Sequence, residues 1–271
     1  MAILSTALVA MARRGNPNYS IYIAQQFHVI DSDDNHPRKP TYNFVDSSFH
    51  LITKDTSIRL RFTDTDDGYA TNMTNPPDSV RMDFMGVSRR MPPNGTLGSV
   101  SVNGIICLDT AAAGPNNSEF PLNFIKGSVA ALWADMELRT TGDSSKIFYR
   151  LTPDTCYITY YNLALKGTYG KVRTTFQVAF VNSDSSVQIN FRSFDGEFCG
   201  EPAAKIFQRL ATIGCQAPNG QTWTNYLDRG RYHAVSFGSS IYAQDLHDQL
   251  AVKFIRVPGN MIRIRAFANP A

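Results

Sequence analysis

Charge is scarce in this chain of 271 residues: Lys, Arg, Asp and Glu together make up 18%, against about a quarter in an ordinary soluble domain. The net charge is +3, and the basic residues stand in scattered pairs such as Arg13-Arg14, Arg38-Lys39 and Arg89-Arg90. Neutralising a run of phosphates takes a clustered basic block, so nucleic acid is not an expected partner. No run of about 18 apolar residues occurs, which excludes a membrane-spanning helix. Long stretches of Ala, Leu, Glu and Lys, the usual filling of helices, are missing as well. Four cysteines are present, Cys107, Cys156, Cys199 and Cys215, and none has the CxxC spacing of zinc or redox motifs. Two states stay open for them: buried thiols, or, in an oxidising compartment, a Cys199–Cys215 bridge across a short segment. Five histidines form neither HxH nor HExxH, and no GxSxG elbow is found. These absences together argue against an enzyme, and no cofactor is called for.

What remains is apolar and aromatic, at 43% and 11% of residues, with much Thr, Ser and Asn. That mixture suits half-buried pleated surfaces. Period-two alternation recurs: Ser57–Phe62 places Ile58, Leu60 and Phe62 on one face, and Ser79–Phe84, Ser99–Asn103, Lys146–Arg150, Cys156–Tyr161, Thr174–Phe180 and Ser186–Phe191 follow. Gly127–Trp133 is apolar on both faces, as in a central strand. Turn signals at Pro92-Pro-Asn-Gly95, Pro153-Asp154 and residues 166–171 and 182–185 separate the runs. The expected fold is all-β: an antiparallel β-sandwich, jelly-roll-like, with one or two short helices and terminal extensions. The helix candidates are Pro202–Leu210 and Tyr242–Leu250. The spacing divides the chain into an N-terminal arm over 1–40, a sandwich domain over 41–258 and a C-terminal strand or tail over 259–271. Within the arm, residues 19–30 read as a strand. The apolar stretch Ala2–Met11 lacks a preceding positive region and has Arg13-Arg14 after it, the reverse of a signal peptide.

The order of these signals resembles the nidogen-type extracellular β-sandwich module, also found in bacterial surface proteins. Four places carry the resemblance. They are Asp64-Thr-Asp-Asp-Gly68 leading into Phe84-Met-Gly86; Ser99-Val-Ser-Val-Asn-Gly104; Val129-Ala-Ala-Leu-Trp-Ala-Asp135; and Ala211-Thr-Ile-Gly214, followed by Asn219-Gly220 and Tyr226. Between the last two come Ile147-Phe-Tyr-Arg150, Ile158-Thr-Tyr-Tyr-Asn162 and Thr175-Phe-Gln-Val178. Ala131-Leu132 stands where the family commonly has Pro-Phe. The resemblance implies a sandwich outside the cell and no catalytic residues.

Three groups are candidates for function. Asp64, Asp66 and Asp67 offer hard oxygens to Ca²⁺, without the spacing of an EF-hand loop; Asp31, Asp33, Asp34 and Asn35 look similar, and both groups also suit plain turns. Asp135 after Trp133 reads as a strand-end acid bonding to a loop, or as a ligand or catalytic acid with Glu137 as partner. Trp223 and Tyr226, in a turn-rich stretch, are the candidate exposed aromatics for a ligand or a subunit interface. The resulting expectation is a non-enzymatic structural protein of a virion or the cell exterior. Its partners would be copies of itself and other structural proteins. The alternative is a carbohydrate-binding or adhesion module on a cell surface.

Overall fold

The structure, a computed structural model, describes residues 18–22, 26–34, 37–45, 50–51, 65–70, 80–84, 87–91, 98–109, 114, 116–123, 125, 127–139, 145–218, 223–232, 245–257 and 261–265. The chain is all-β, with antiparallel sheets and, among the described residues, one helix. It divides into two units. In the smaller, Asn18–Tyr22 pairs antiparallel with Met261–Arg265, so that the two terminal segments form one ribbon. The larger unit spans Phe27–Arg256. The expected boundary at residue 40 falls inside it, because Gln26–Asp31 lies beside Ala251–Val257 at the edge of the main sheet.

That sheet has eight strands. From Gln26–Asp31 and Ala251–Val257 it continues through Ser186–Asp195, Arg173–Val181, Thr155–Leu165 and Lys146–Leu151 to the short His50–Leu51. Met136–Glu137 joins it as a side branch on Thr155–Leu165. The second sheet has seven strands, ordered Arg231–Tyr232, Trp223–Asp228, Thr212–Gln216, Ser128–Trp133, Ile105–Cys107, Ser99–Ser101 and Tyr69–Ala70. Alternation along the strands gives each sheet an apolar face, and the two faces share one core. Val100, Ile106, Val129 and Ala131 from the second sheet meet Ile158, Tyr160, Phe176, Val178 and Ile189 from the first. Tyr160 stacks on Phe176 at 4.5 Å between ring centres, and a run of rings through Phe191 and Phe194 reaches Phe207 on the helix Ala203–Leu210. That helix buries Ala203, Ile206 and Phe207.

Ser128–Trp133 is buried along its whole length. Its outward residues Ala130 and Trp133 join Ile105, Cys107, Phe120, Leu122 and Ile125 in a second, smaller core. The loop carrying Phe120 and Leu122 therefore covers the back of the second sheet. This is why the sequence there is apolar on both faces.

The second expected helix is not formed over residues 245–250, which make a turn instead. Their backbone groups go to the neighbouring strand: Gln249 N–H donates to the Phe191 carbonyl, and the Leu250 carbonyl accepts from Phe191 N–H. The Asp248 carboxylate also caps Phe194 N–H at 2.8 Å. All four cysteines are free, so the Cys199–Cys215 bridge is absent; Cys215 is buried in a strand and Cys199 is exposed at φ 54° in a turn. Burial alone pushes the Cys156 and Cys215 thiols up.

The turn Asn103-Gly104 locks the two halves of the second sheet to the loop after Trp133. Asn103, fully buried, accepts from Met136 N–H at 2.8 Å and donates to the Asp67 carboxylate at 3.1 Å. Gly104 has φ 78°, and a Cβ there would stand 2.4 Å from the Leu132 carbonyl oxygen. Gly104→Ala is therefore expected to lower stability by about 2 kcal/mol or more. The reading is a lower urea midpoint at unchanged denaturant slope; an unchanged midpoint would show that the turn relaxes freely.

Candidate functional site

Three carboxylates meet at one corner of the larger unit. Asp66 and Asp67 come from the loop before Tyr69–Ala70, and Asp135 from the link between Ser128–Trp133 and Met136–Glu137. One oxygen from each lies within 4.8 Å of the others. The loop is held by backbone bonds, Val102 N–H to the Gly68 carbonyl at 2.9 Å and Leu138 N–H to the Thr65 carbonyl at 2.6 Å. The fold thus gives Asp135 the partners Asp66 and Asp67, which are remote in sequence, and not Glu137. Asp64 lies outside the described residues. Lys166 donates to Asp66, and this hydrogen bond raises the lysine's pKa. Burial raises the pKa of Asp135; Asp66 and Asp67 push it further up, and Lys166 opposes them. One oxygen of Asp135 is buried without a hydrogen-bond partner among the described residues.

Asp66, Asp67 and Asp135 could hold a hard divalent cation, which takes 6–8 oxygens at this kind of site, with Lys166 competing for one of them. Without a cation, the crowded charge opposes folding. The folded pKa of Asp135 lies above its unfolded one, so its ionised form destabilises the fold at neutral pH, and the penalty disappears on acidification. Asp135→Asn is accordingly expected to raise the melting temperature at pH 7 and to have less effect near pH 4. A lower melting temperature at pH 7 would contradict this. If the corner holds Ca²⁺, millimolar Ca²⁺ raises the melting temperature of the native protein and not that of the variant.

The second acidic group does another job. Asp31 is buried; one oxygen accepts from Tyr226 OH at 3.0 Å and the other from Asp33 N–H at 3.0 Å. Burial raises its pKa, against these hydrogen bonds. The Asp33 carboxylate lies 2.7 Å from His247 Nε2. Together with Ser32 N–H donating to the Ala251 carbonyl, these bonds clasp residues 31–33 to residues 247–251. Burial depresses the His247 pKa, but the hydrogen bonds to Asp33 and the Asp248 carbonyl, with both aspartate charges, outweigh it and raise the pKa overall. Asp245 is also within electrostatic reach. The clasp therefore adds stability that is fully present below the unfolded histidine pKa of about 6.5 and is lost as pH rises through the folded value. The melting-temperature gap between the native protein and His247→Gln should be largest at about pH 6 and close above about pH 8. A gap independent of pH would show that the histidine charge contributes nothing.

Of the two candidate aromatics, Trp223 is 43% exposed, whereas Tyr226 is wholly buried. The stretch is a strand, Trp223–Asp228, whose alternation turns Tyr226 into the core to meet Asp31, so Tyr226 offers no surface to a ligand. A more exposed aromatic is Tyr169, at 86%, at the tip of the hairpin between Thr155–Leu165 and Arg173–Val181. It has φ 54° and lies 6.5 Å from the Phe198 ring. Gly167 and Gly170 on either side of it mark that tip in the sequence.

The backs of both sheets are crossed by extended segments held through side-chain amides. On the eight-stranded sheet, Gln177 accepts from Val45 N–H at 3.0 Å and donates to the Val45 carbonyl at 3.1 Å. Asn190, directly opposite Gln177 in the register, accepts from Asn43 N–H, and Gln188 donates to the Thr41 carbonyl. Arg192 lies over the Phe44 ring. On the seven-stranded sheet, Gln216 grips Leu122 and Asn225 grips Phe120 by the same two-way pattern. No sequence signal distinguishes these amides from ordinary outward polar residues of a strand.

The chain matches no protein-family model, no curated protein and no solved structure.

Proposed function

We propose that this chain is a non-catalytic structural protein that assembles with copies of itself into a shell, a fibre or a surface layer, in a virion or outside the cell. The observation that carries this reading is the terminal ribbon. Among the described residues, Asn18–Tyr22 and Met261–Arg265 have only each other as neighbours. An isolated two-stranded ribbon is marginally stable in water, and each of its outer edges has backbone groups ready to pair. The register sets Tyr19 opposite Ile264 and Ile21 opposite Ile262, and Asn18 and Ser20 opposite Arg265 and Arg263. Tyr22 stands opposite Met261 in the same register. Such a ribbon gains a neighbour for its edges when a second copy adds its own strands.

The motif order that resembles nidogen-type modules supports an extracellular sandwich. No helix among the described residues is long and apolar enough to cross a membrane. A second reading, a carbohydrate-binding or adhesion module, is favoured by the exposed Tyr169 and Trp223, since exposed rings stack on sugars.

Proline removes a ladder donor from a strand. In sedimentation velocity the native chain is expected to run as a defined large assembly. The double variant Ser20→Pro with Arg263→Pro should run as a monomer with an unchanged melting temperature. A native monomer, or a variant that still assembles, would overturn the reading.

A further inference from the structure

The hairpin of Thr155–Leu165 and Arg173–Val181 carries a knob at its tip and a hollow near its other end. The knob is Tyr169, 86% exposed. Its φ of 54° lies in the left-handed region, which bulky side chains avoid, so it persists only where the surrounding turn determines it. The turn does so through a set of bonds. Leu165 N–H donates to the Val172 carbonyl and Lys171 N–H to the Thr168 carbonyl, both at 3.0 Å. Thr168 Oγ1 donates to the Leu165 carbonyl at 2.6 Å, and Arg139 to the Gly170 carbonyl at 3.3 Å. The half-buried Phe198 ring stands 6.5 Å from the tyrosine ring. A large ring held out in water at a strained position points to a partner that covers it.

The hollow is a cavity of ≈ 480 Å³ on the back of the eight-stranded sheet. Tyr157, Ala179, Gln188 and Lys253 stand opposite one another on four successive strands. Ala179 is the small member of this row and leaves room between longer neighbours, and residues 38–43 complete the wall. Bonds to that segment orient two amides of the lining. Gln188 Nε2 donates to the Thr41 carbonyl and to Asn190 Oδ1, which also accepts from Asn43 N–H. Gln188 Oε1 and Asn190 Nδ2 then have no partner among the described residues. One acceptor and one donor are left in the lining, with the half-buried Tyr157 ring. A phenol fits this set: its hydroxyl both donates and accepts, and its ring packs against another ring. A cavity in the size range of small-molecule sites has ample room for it. Charge runs in the same sense, since Glu197 is exposed beside Phe198 at the tip and Lys39 is exposed at the cavity. Lys171, also exposed at the tip, offsets part of this attraction, so the ring is the anchor.

We infer that Tyr169 of one copy docks in this cavity of a second copy. The inference rests on the assembly reading above and gives that assembly a second contact. Tyr157 and the tip lie at opposite ends of one hairpin, roughly 25 Å apart at the usual rise of a strand. A knob and a hollow so placed make a head-to-tail contact, which repeats from copy to copy into a ring or a filament. One side chain in one pocket buries far less than the roughly 1,200 Å² of a stable complex. The contact therefore acts between copies already joined by their ribbons, where the effective concentration is high, and a chain without its ribbon stays monomeric.

Sedimentation velocity and photo-crosslinking on the full chain test it. Tyr169→Asn removes the ring and keeps a residue suited to positive φ, and Ala179→Trp fills the hollow. Loss of a central aromatic anchor weakens a contact about 30-fold or more. Each variant is therefore expected to keep the native melting temperature and to run as a small oligomer joined by ribbons, in place of the large native assembly. With benzoylphenylalanine in place of Tyr169, irradiation should join position 169 to the peptide around Tyr157 or around Ala179 of another copy. If the native chain assembles and either variant assembles as fully, this inference is overturned and the ribbon reading stands; a native monomer overturns both. Crosslinks that fall only on other peptides overturn the inference as well. So does isothermal titration in which maltotetraose binds the native chain and not Tyr169→Asn, which assigns the tyrosine to a sugar.

Discussion

The architecture depends on a two-way hydrogen bond between a side-chain amide and the backbone of a crossing segment. A sheet uses its own backbone groups in the plane, so it has none to offer a segment laid across its face. Glutamine and asparagine supply the missing pair, since each carries a donor and an acceptor on one short arm. Gln177 binds both polar groups of Val45, Gln216 those of Leu122 and Asn225 those of Phe120. These three amides are themselves buried. Loss of one would strand backbone groups as well as remove a bond, at about 1–3 kcal/mol for each unsatisfied group. Both cores inherit this order: the segment with Phe120 and Leu122 closes the smaller core, and the segment through Val45 covers the eight-stranded sheet.

The polar features at the rim of the sandwich follow from the same need to satisfy buried groups. Asp31 is inside because Tyr226 and the Asp33 backbone receive it, and its loop is then clasped through His247 to the strand beside it. Asn103 similarly joins the Asp67 loop to the link at Met136 and so carries Asp66 and Asp67 to Asp135. The stretches around Asn103-Gly104 and Trp133-Ala-Asp135 are thus parts of one hydrogen-bonded corner. The ribbon of terminal strands and the acidic corner belong to different units of the chain.

Alternation and turn chemistry by themselves determined the all-β class, most of the long strands and the central position of Ser128–Trp133, because a period of two and a run apolar on both faces are local records of burial. The helix Ala203–Leu210 was legible for the same reason, from its apolar spacing. Val87–Met91 was hidden because Arg89-Arg90 breaks its alternation, and Trp223–Asp228 because polar Thr224 and Asn225 look like turn residues until Asn225 is seen gripping Phe120. Residues 245–250 have apolar spacing that suits a helix, yet the strand beside them claims their backbone groups. Tertiary structure alone decided that Tyr226 turns inward, that Asp135 meets Asp66 and Asp67, that the terminal segments pair, and that outward glutamines and asparagines clamp crossing segments. Each of these joins residues far apart in the chain, and such a partner leaves no periodic trace in the sequence on either side.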